Sequence, residues 1–331
     1  MWREINIKGS IFRKESLLLL FLLKIALYMM SSVYYYENEE LLLNSTEQAV
    51  MSTEFFTTDD TEKLTIRYFY LDAAEKSGDA ILIKSPDGKT MLIDAGIVET
   101  GSKLSEYLDN MNIDQLDYAI ATHPHHDHIG GYDTILRNKE IGKLMMPNIR
   151  QVTSTYKNFI QTIEEEMIDV AYVHAGNQFY LGRHVLVEVI SPEKEDLQKA
   201  SAKKELSTAE INDLSLVLKV TYHNRTFLFT GDIYKKQEKK LVQEKKAALA
   251  ADFLDAPHHG DKTSSSQEFI HAVHPQITVM SANILQSRTV YNRYKKSGSD
   301  VYSTSKNKHI LIESDGESIK VSPEYVTALK R

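Results

Sequence analysis

The sequence predicts an α/β chain built as a four-layer αββα sandwich, with helices outside and two mixed sheets inside. Three observations lead there. Short β-type runs recur in both halves of the 331-residue chain, amphipathic stretches flank them, and a charged, proline-containing segment at 192–211 separates the two sets. With 42% hydrophobic residues, such a chain can bury one large core or two modest ones.

In the first half, 64–71 and 80–84 read as strands. Pro86-Asp87-Gly88-Lys89 is a tight turn that makes 80–84 and 90–94 a hairpin. An amphipathic helix follows at 102–111, then an apolar strand ending at Thr122, and helices at 132–138 and 153–168. The second half repeats the grammar. Strands are expected at 185–190, 214–222 and 226–230, then a Lys/Glu-rich helix at 234–249. A strand at 253–256, a helix at 265–273, a strand at 276–281 and a closing pair at 309–313 and 318–321 complete it. Residues 192–211 read as a surface insertion.

The flanks differ in texture. Arg3, Lys8, Arg13 and Lys14 precede apolar runs at 17–23 and 25–30, so 1–36 reads as a signal peptide or membrane anchor. Residues 37–63 are acidic and Ser/Thr-rich, a linker to a folded domain at 64–331. This places the domain on the extracellular side of the cytoplasmic membrane, tethered through its N-terminus, or secreted. The formal charge of −7 excludes a global basic field for nucleic acid. Zero cysteines exclude disulfides, thiolate metal sites and cysteine nucleophiles.

Chemistry concentrates in Thr122-His123-Pro124-His125-His126-Asp127-His128-Ile129-Gly130-Gly131. Imidazole nitrogens and a carboxylate are the ligand set of zinc and other borderline divalent ions. His123 and His125 can point one way off a turning backbone, while Asp127 and His128 face a second position, which suits two adjacent metals; His126 is expected to point outward. Two further strand ends carry matching groups. Phe229-Thr230-Gly231-Asp232 delivers a carboxylate that could bridge the metals, and Pro257-His258-His259-Gly260 offers paired imidazoles. Asn212-Asp213 offers an amide or carboxylate oxygen. The remaining histidines are scattered and read as surface or core packing.

Six segments, in order, carry a family resemblance: Tyr70-Leu71-Asp72 with Gly78-Asp79-Ala80, Leu92-Ile93-Asp94-Ala95-Gly96, residues 122–131, Asn212-Asp213 with Ser215, Phe229 to Asp232, and Pro257 to Gly260. With these, residues 64–321 resemble the metallo-β-lactamase superfamily, and within it the ComEC-like competence hydrolases associated with bacterial DNA uptake. The loop between Leu71 and Ala80 is longer by two residues than the family's glycine-rich version. The resemblance implies a hydrolase with two divalent ions, zinc first and manganese second. Its nucleophile would be a water activated between them, and its substrate a phosphodiester, nucleic acid included. On this reading His123 and His125 hold one ion, with Asn212 or Asp213 as a further ligand. Asp127, His128 and either His258 or His259 hold the other, and Asp232 bridges, with Asp127 and Asp232 catalytic. Asp94 orients a ligand histidine, Asp72 is a further candidate there, and Ser215 and Lys295 are candidate substrate contacts. The alternatives are a small-molecule esterase or phosphoesterase of the cell envelope and a non-catalytic, metal-stabilised binding module.

Overall fold

The computed structural model describes residues 55–57, 62–74 and 76–325. Strands β1 (Leu64–Tyr68), β2 (Ile81–Lys84), β3 (Thr90–Ile93), β4 (Gln115–Leu116), β5 (Tyr118–Ile120), β6 (Glu140–Ile141), β7 (Leu144–Met146) and β8 (Val170–Tyr172) occupy the first half. The second half holds β9 (Gln178–Leu181), β10 (Val185–Ser191), β11 (Val217–Tyr222), β12 (Arg225–Phe229), β13 (Phe253–Asp255), β14 (Ile277–Met280), β15 (Asp300–Ser303), β16 (Ile310–Ser314) and β17 (Ile319–Pro323). One mixed sheet is ordered β17-β16-β1-β2-β3-β5-β7-β8, and the other β15-β14-β13-β12-β11-β10-β9. The C-terminal hairpin therefore returns to the first sheet, where β16 pairs antiparallel with β1.

Side-chain alternation explains the layers. Ile81 and Ile83 face the second sheet in one apolar cluster with Val187, Phe227 and Phe229, while Leu82 between them turns outward. Outside the first sheet, Leu82, Leu92 and Leu144 pack on Leu104 and Leu108 of the Gly101–Asn110 helix, Ile135 of the Tyr132–Asn138 helix and Phe159 of the Ser154–Glu165 helix. Outside the second, Leu228 and Leu254 meet Leu241 of the Lys235–Leu249 helix, Phe269 of the Gln267–Val273 helix and Tyr294 of the Arg288–Lys296 helix. Each fully buried Leu, Ile or Phe contributes roughly 1.5–3 kcal/mol of transfer free energy. The α/β sandwich expected from the sequence is the observed one.

Two findings revise the reading of the chain. Residues 192–211 are not a plain surface insertion. They carry the Lys194–Ser201 and Thr208–Asn212 helices, whose Leu197, Ala200 and Ile211 are buried with Ile149 and Leu214. A capping box at Ser207 and Glu210 starts the second of these helices. Phe55 and Phe56, upstream of residue 64, pack on Phe69, Tyr107 and His309, so ordered structure reaches back to them. The stretch expected to anchor or export the chain, 1–36, lies outside the described residues; among those described, no helix is long and apolar enough to cross a membrane.

Topology gathers the functional segments at one sheet edge. Strands β3, β5 and β7 are parallel, as are β12, β13 and β14, so Asp94, His123, Asp232 and His258 all follow C-terminal strand ends. Strand β2 runs against β3, with Ile81 opposite Ile93, which brings Asp79 to the same edge. Likewise β11 runs against β12, with Leu218 opposite Phe229, which brings Asn212 and Ser215 there. The Leu216 N–H donates to the Thr122 carbonyl at 2.9 Å, joining the two sheets at the site.

Candidate metal centre

At the centre stands Asp232, buried at the end of the Thr230-Gly231 turn. Its N–H donates to the Ser215 hydroxyl at 3.2 Å, and Gly231 takes the left-handed φ of +48° that the turn requires. The two carboxylate oxygens face different imidazoles. Oδ1 is 3.3 Å from His128 Nε2 and 3.3 Å from His259 Nε2. Oδ2 is 3.8 Å from His123 Nε2 and 3.6 Å from His258 Nε2. Asp127 reaches the first group, with Oδ2 3.7 Å from His259 Nε2 and Oδ1 4.0 Å from His128 Nε2. His125 joins the second, its Nδ1 3.0 Å from His123 Nε2.

Neighbouring groups fix which nitrogen of each ring carries the proton. His128 Nδ1 donates to Asp94 Oδ2 at 2.7 Å, and Asp94 also accepts from the Thr122 amide and hydroxyl at 2.8 and 2.6 Å. His259 Nδ1 donates to Asp79 Oδ1 at 2.9 Å and to the Ser281 carbonyl at 2.8 Å. The Thr263 hydroxyl donates to Asp261 at 2.7 Å and so accepts from His258 Nδ1 at 2.6 Å. In all three rings the Nε2 atom is left to face Asp232. Both His258 and His259 have left-handed backbones, at φ 51° and 55°, a conformation L side chains adopt at a cost of about 1–3 kcal/mol each. That turn is what points consecutive imidazoles to opposite oxygens of one carboxylate.

The electrostatics divide along the same line. Burial, reinforced by neighbouring His128, holds His123 well below the usual imidazole range and lowers His125 too. Burial likewise pulls His258 down to about 4. These three rings are neutral lone-pair donors at pH 7. Burial opposes charge on His128 and His259 as well. There, however, Asp232 with Asp94 and Asp127 raises His128 well above its ordinary value, and Asp232 with Asp79 raises His259 to about 10. Asp232 and Asp127 are shifted down, the cationic imidazoles outweighing their burial. The carboxylates thus demand positive charge, from protons or from an ion.

A divalent cation fits this donor set. His128 Nε2, His259 Nε2, Asp232 Oδ1 and Asn212 Oδ1 are buried without a hydrogen-bond partner, an arrangement that costs about 1–3 kcal/mol per atom unless something coordinates them. Asp79, His128, Asp232 and His259 each offer a ligand atom within 4.8 Å of the others. Asp79 already spends Oδ1 on His259 and on the Ser281 hydroxyl, so its first effect is to orient that ring.

Most of the expected residues converge: His123, His125, Asp127, His128, Asp232, His258, His259 and Asp94; Asn212 is linked to them through Ser215, whose N–H donates to the Asn212 carbonyl and whose hydroxyl accepts from the Asp232 amide. His126 points outward, its side chain 66% exposed. Four expectations need correction. Asp72 is exposed and accepts from the Tyr70 hydroxyl at 3.1 Å, outside the cluster, whereas the buried Asp79 is the carboxylate that reaches His259. Asp213 turns its carboxylate to the Tyr234 amide at 3.2 Å, leaving Asn212 as the site member of that pair. Ser215 is fully buried and supports Asp232, so it does not present a substrate contact. Lys295 lies on the Arg288–Lys296 helix with Nζ 5.8 Å from the Tyr291 ring, and no contact among the described residues ties it to the cluster.

Two residues were missed. Asp79 was visible in Gly78-Asp79-Ala80 but had no assigned role. Lys76 sits in the longer loop with Nζ 3.3 Å from Asp127 Oδ2. Its pKa is raised because Asp232 and Asp127 outweigh its burial. Nothing in its sequence neighbourhood signals a site lysine.

A model of the metallo-β-lactamase superfamily matches residues 74–282. The chain belongs to this superfamily. It is 29% identical over 179 residues to ComE operon protein 3 of Bacillus subtilis, covering 54% of this chain and 21% of that protein. It is 27% identical over 202 residues to Recombination protein 2 of Haemophilus influenzae, covering 59% and 22%. Against Competence protein ComA of Neisseria gonorrhoeae the identity is 28% over 229 residues, covering 67% and 28%. The chain therefore spans between about a fifth and just over a quarter of the length of these relatives. Among solved structures, a long form RNase Z from yeast superposes with a TM-score of 0.50 at 11% identity, covering 80% of this chain and 50% of that one. A mutant of the CmlA β-hydroxylase gives 0.50 at 11%, covering 76% and 54%. Both share the fold.

Proposed function

We propose that this chain is a metal-dependent phosphodiesterase acting on nucleic acid, with two divalent ions held on either side of Asp232. The observation that carries the reading is the split of that carboxylate, one oxygen towards His128 and His259 and the other towards His123 and His258. His123, His125 and His258 would hold one ion, with Asn212 beside them. Asp127, His128 and His259 would hold the other, and Asp232 would serve both. This assigns His259 to the side that the sequence left open between it and His258. Zinc suits the donors best and manganese next.

Ions bound there supply Lewis acidity and lower the pKa of a coordinated water towards neutrality. The chain's own groups do the rest. Asp94, Asp79 and Thr263 keep the protons of His128, His259 and His258 on Nδ1, so that Nε2 stays a ligand. Asp127, held ionised, can orient an attacking water and accept its proton on a carboxylate oxygen. Lys76, beside Asp127, offers an ammonium to a non-bridging oxygen of an anionic substrate.

The nucleic-acid assignment draws on relatives whose names speak of competence and recombination. Export through residues 1–36 is part of the same reading, and cleavage of the domain from intact cells by an external protease is its check. The deciding assay compares bis-p-nitrophenyl phosphate with single- and double-stranded DNA, using metal-loaded wild type and Asp127→Ala. Hydrolysis of all three by wild type, reduced at least 100-fold in the variant, is expected. Cleavage of the small diester alone would transfer the reading to an envelope phosphoesterase, and hydrolysis of none to a binding module.

A further inference from the structure

We infer that the groove between segments 148–152 and 200–206 is a polynucleotide-binding track that leads a phosphodiester strand to the metal centre; this rests on the nucleic-acid reading above. The groove encloses about 460 Å³, the size of a ligand cleft. Arg150, Lys203 and Lys204 line it against a single acid, Glu205, in a chain whose net charge is −7. Local charge therefore opposes the charge of the whole. Lys203 is ion-paired with Glu210. Arg150 and Lys204 are exposed and have no ion-pair partner among the described residues, so both cations are available to phosphates.

The groove is joined to the site on both walls. Segment 148–152 follows β7, which lies parallel beside β5, the strand that delivers His123. Segment 200–206 leads into the Thr208–Asn212 helix, whose last residue contributes the orphaned oxygen of Asn212. Ile149 and Ala200, one from each wall, are buried in one apolar cluster with Ile211 and Leu214, which bracket Asn212. A strand lying on Arg150 and Lys204 is thus held by the same packed unit that positions Asn212. Asn148 and Gln151 add amide groups for sugar and base edges, and Val152, 64% exposed, adds an apolar face. The occupant fitting this mixture is a single strand, whose backbone needs spaced cations and whose bases tolerate generic contacts.

The test is the full-length double variant Arg150→Gln/Lys204→Gln, assayed in parallel on bis-p-nitrophenyl phosphate and on a fluorescent 20-nucleotide single strand. The inference expects unchanged turnover of the small diester, an oligonucleotide KM raised about tenfold or more, and a salt dependence of binding flattened by about 1.4 in log–log slope, roughly 0.7 for each lost phosphate contact. Equal loss on both substrates would mean a damaged fold or site, and unchanged oligonucleotide kinetics would mean an idle groove; either overturns the inference while the nuclease reading stands. Competition by polyglutamate as strong as that by unlabelled oligonucleotide would also overturn it. Wild type that neither binds nor cleaves the oligonucleotide would remove the reading beneath it as well.

Discussion

His128 and His259 carry a second ring proton at neutral pH because carboxylates surround them, while His123, His125 and His258 stay neutral. The consequence is a sign for metal binding. An ion must displace protons from His128 and His259, so apparent affinity should rise with pH, for the His259 side up to about 10. Calorimetric titration with Zn²⁺ near pH 7, in buffers of differing ionisation enthalpy, should show more than one proton released per chain; a buffer-independent enthalpy would contradict the assignment. In the metal-free protein the same shift works on stability. A pKa raised from 6.5 to about 10 contributes stability fully present below pH 6.5 and lost as pH rises through about 10.

Among elements, the loop ending at Asp79 is the one whose backbone path decides the site. Gly78 has φ +71°, and a Cβ placed there would lie 1.6 Å from the Asp127 carbonyl oxygen. Gly78→Ala should therefore push the loop off the histidine turn, detach Asp79 from His259, destabilise the fold by more than about 2 kcal/mol and weaken metal binding. Gly88→Ala, at φ +85° with nothing within 4 Å of the added Cβ, is the control and should cost only about 1 kcal/mol with metal affinity unchanged. Chemical denaturation and metal titration of both variants check this. The same loop marks the limit of what the sequence discloses. Period-2 runs and the Asp87-Gly88 turn disclose the β2–β3 hairpin, and the histidine spacing discloses its cluster. Asp72 and Asp79 look equivalent as letters, and only the swing at Gly78 says which enters the site. His258 and His259 were likewise indistinguishable until both proved left-handed. The Arg288–Lys296 helix and β15 were not foreseen, since their burial depends on strands paired far away in sequence.

For the whole molecule, the site draws its donors from both sheets, so an ion bound there should stabilise the folded state as a unit. A ligand present at 100 times its Kd adds about 2.7 kcal/mol, which for a domain of this size raises the melting temperature by about 5–10 °C. Thermal melts with and without chelator should show that gap, largely closed in Asp232→Asn. The two-sheet architecture was legible from alternating strands in both halves. The pairing of β16 with β1 was not, because that contact spans nearly the whole domain. Metal content per chain in purified wild type and Asp232→Asn, measured with diester hydrolysis on the same samples, tests the central claim most directly. The account predicts two equivalents of metal in wild type, one or fewer in the variant, and at least a 100-fold loss of hydrolysis; a wild type saturating at one ion, or a variant that keeps two and remains active, would contradict it.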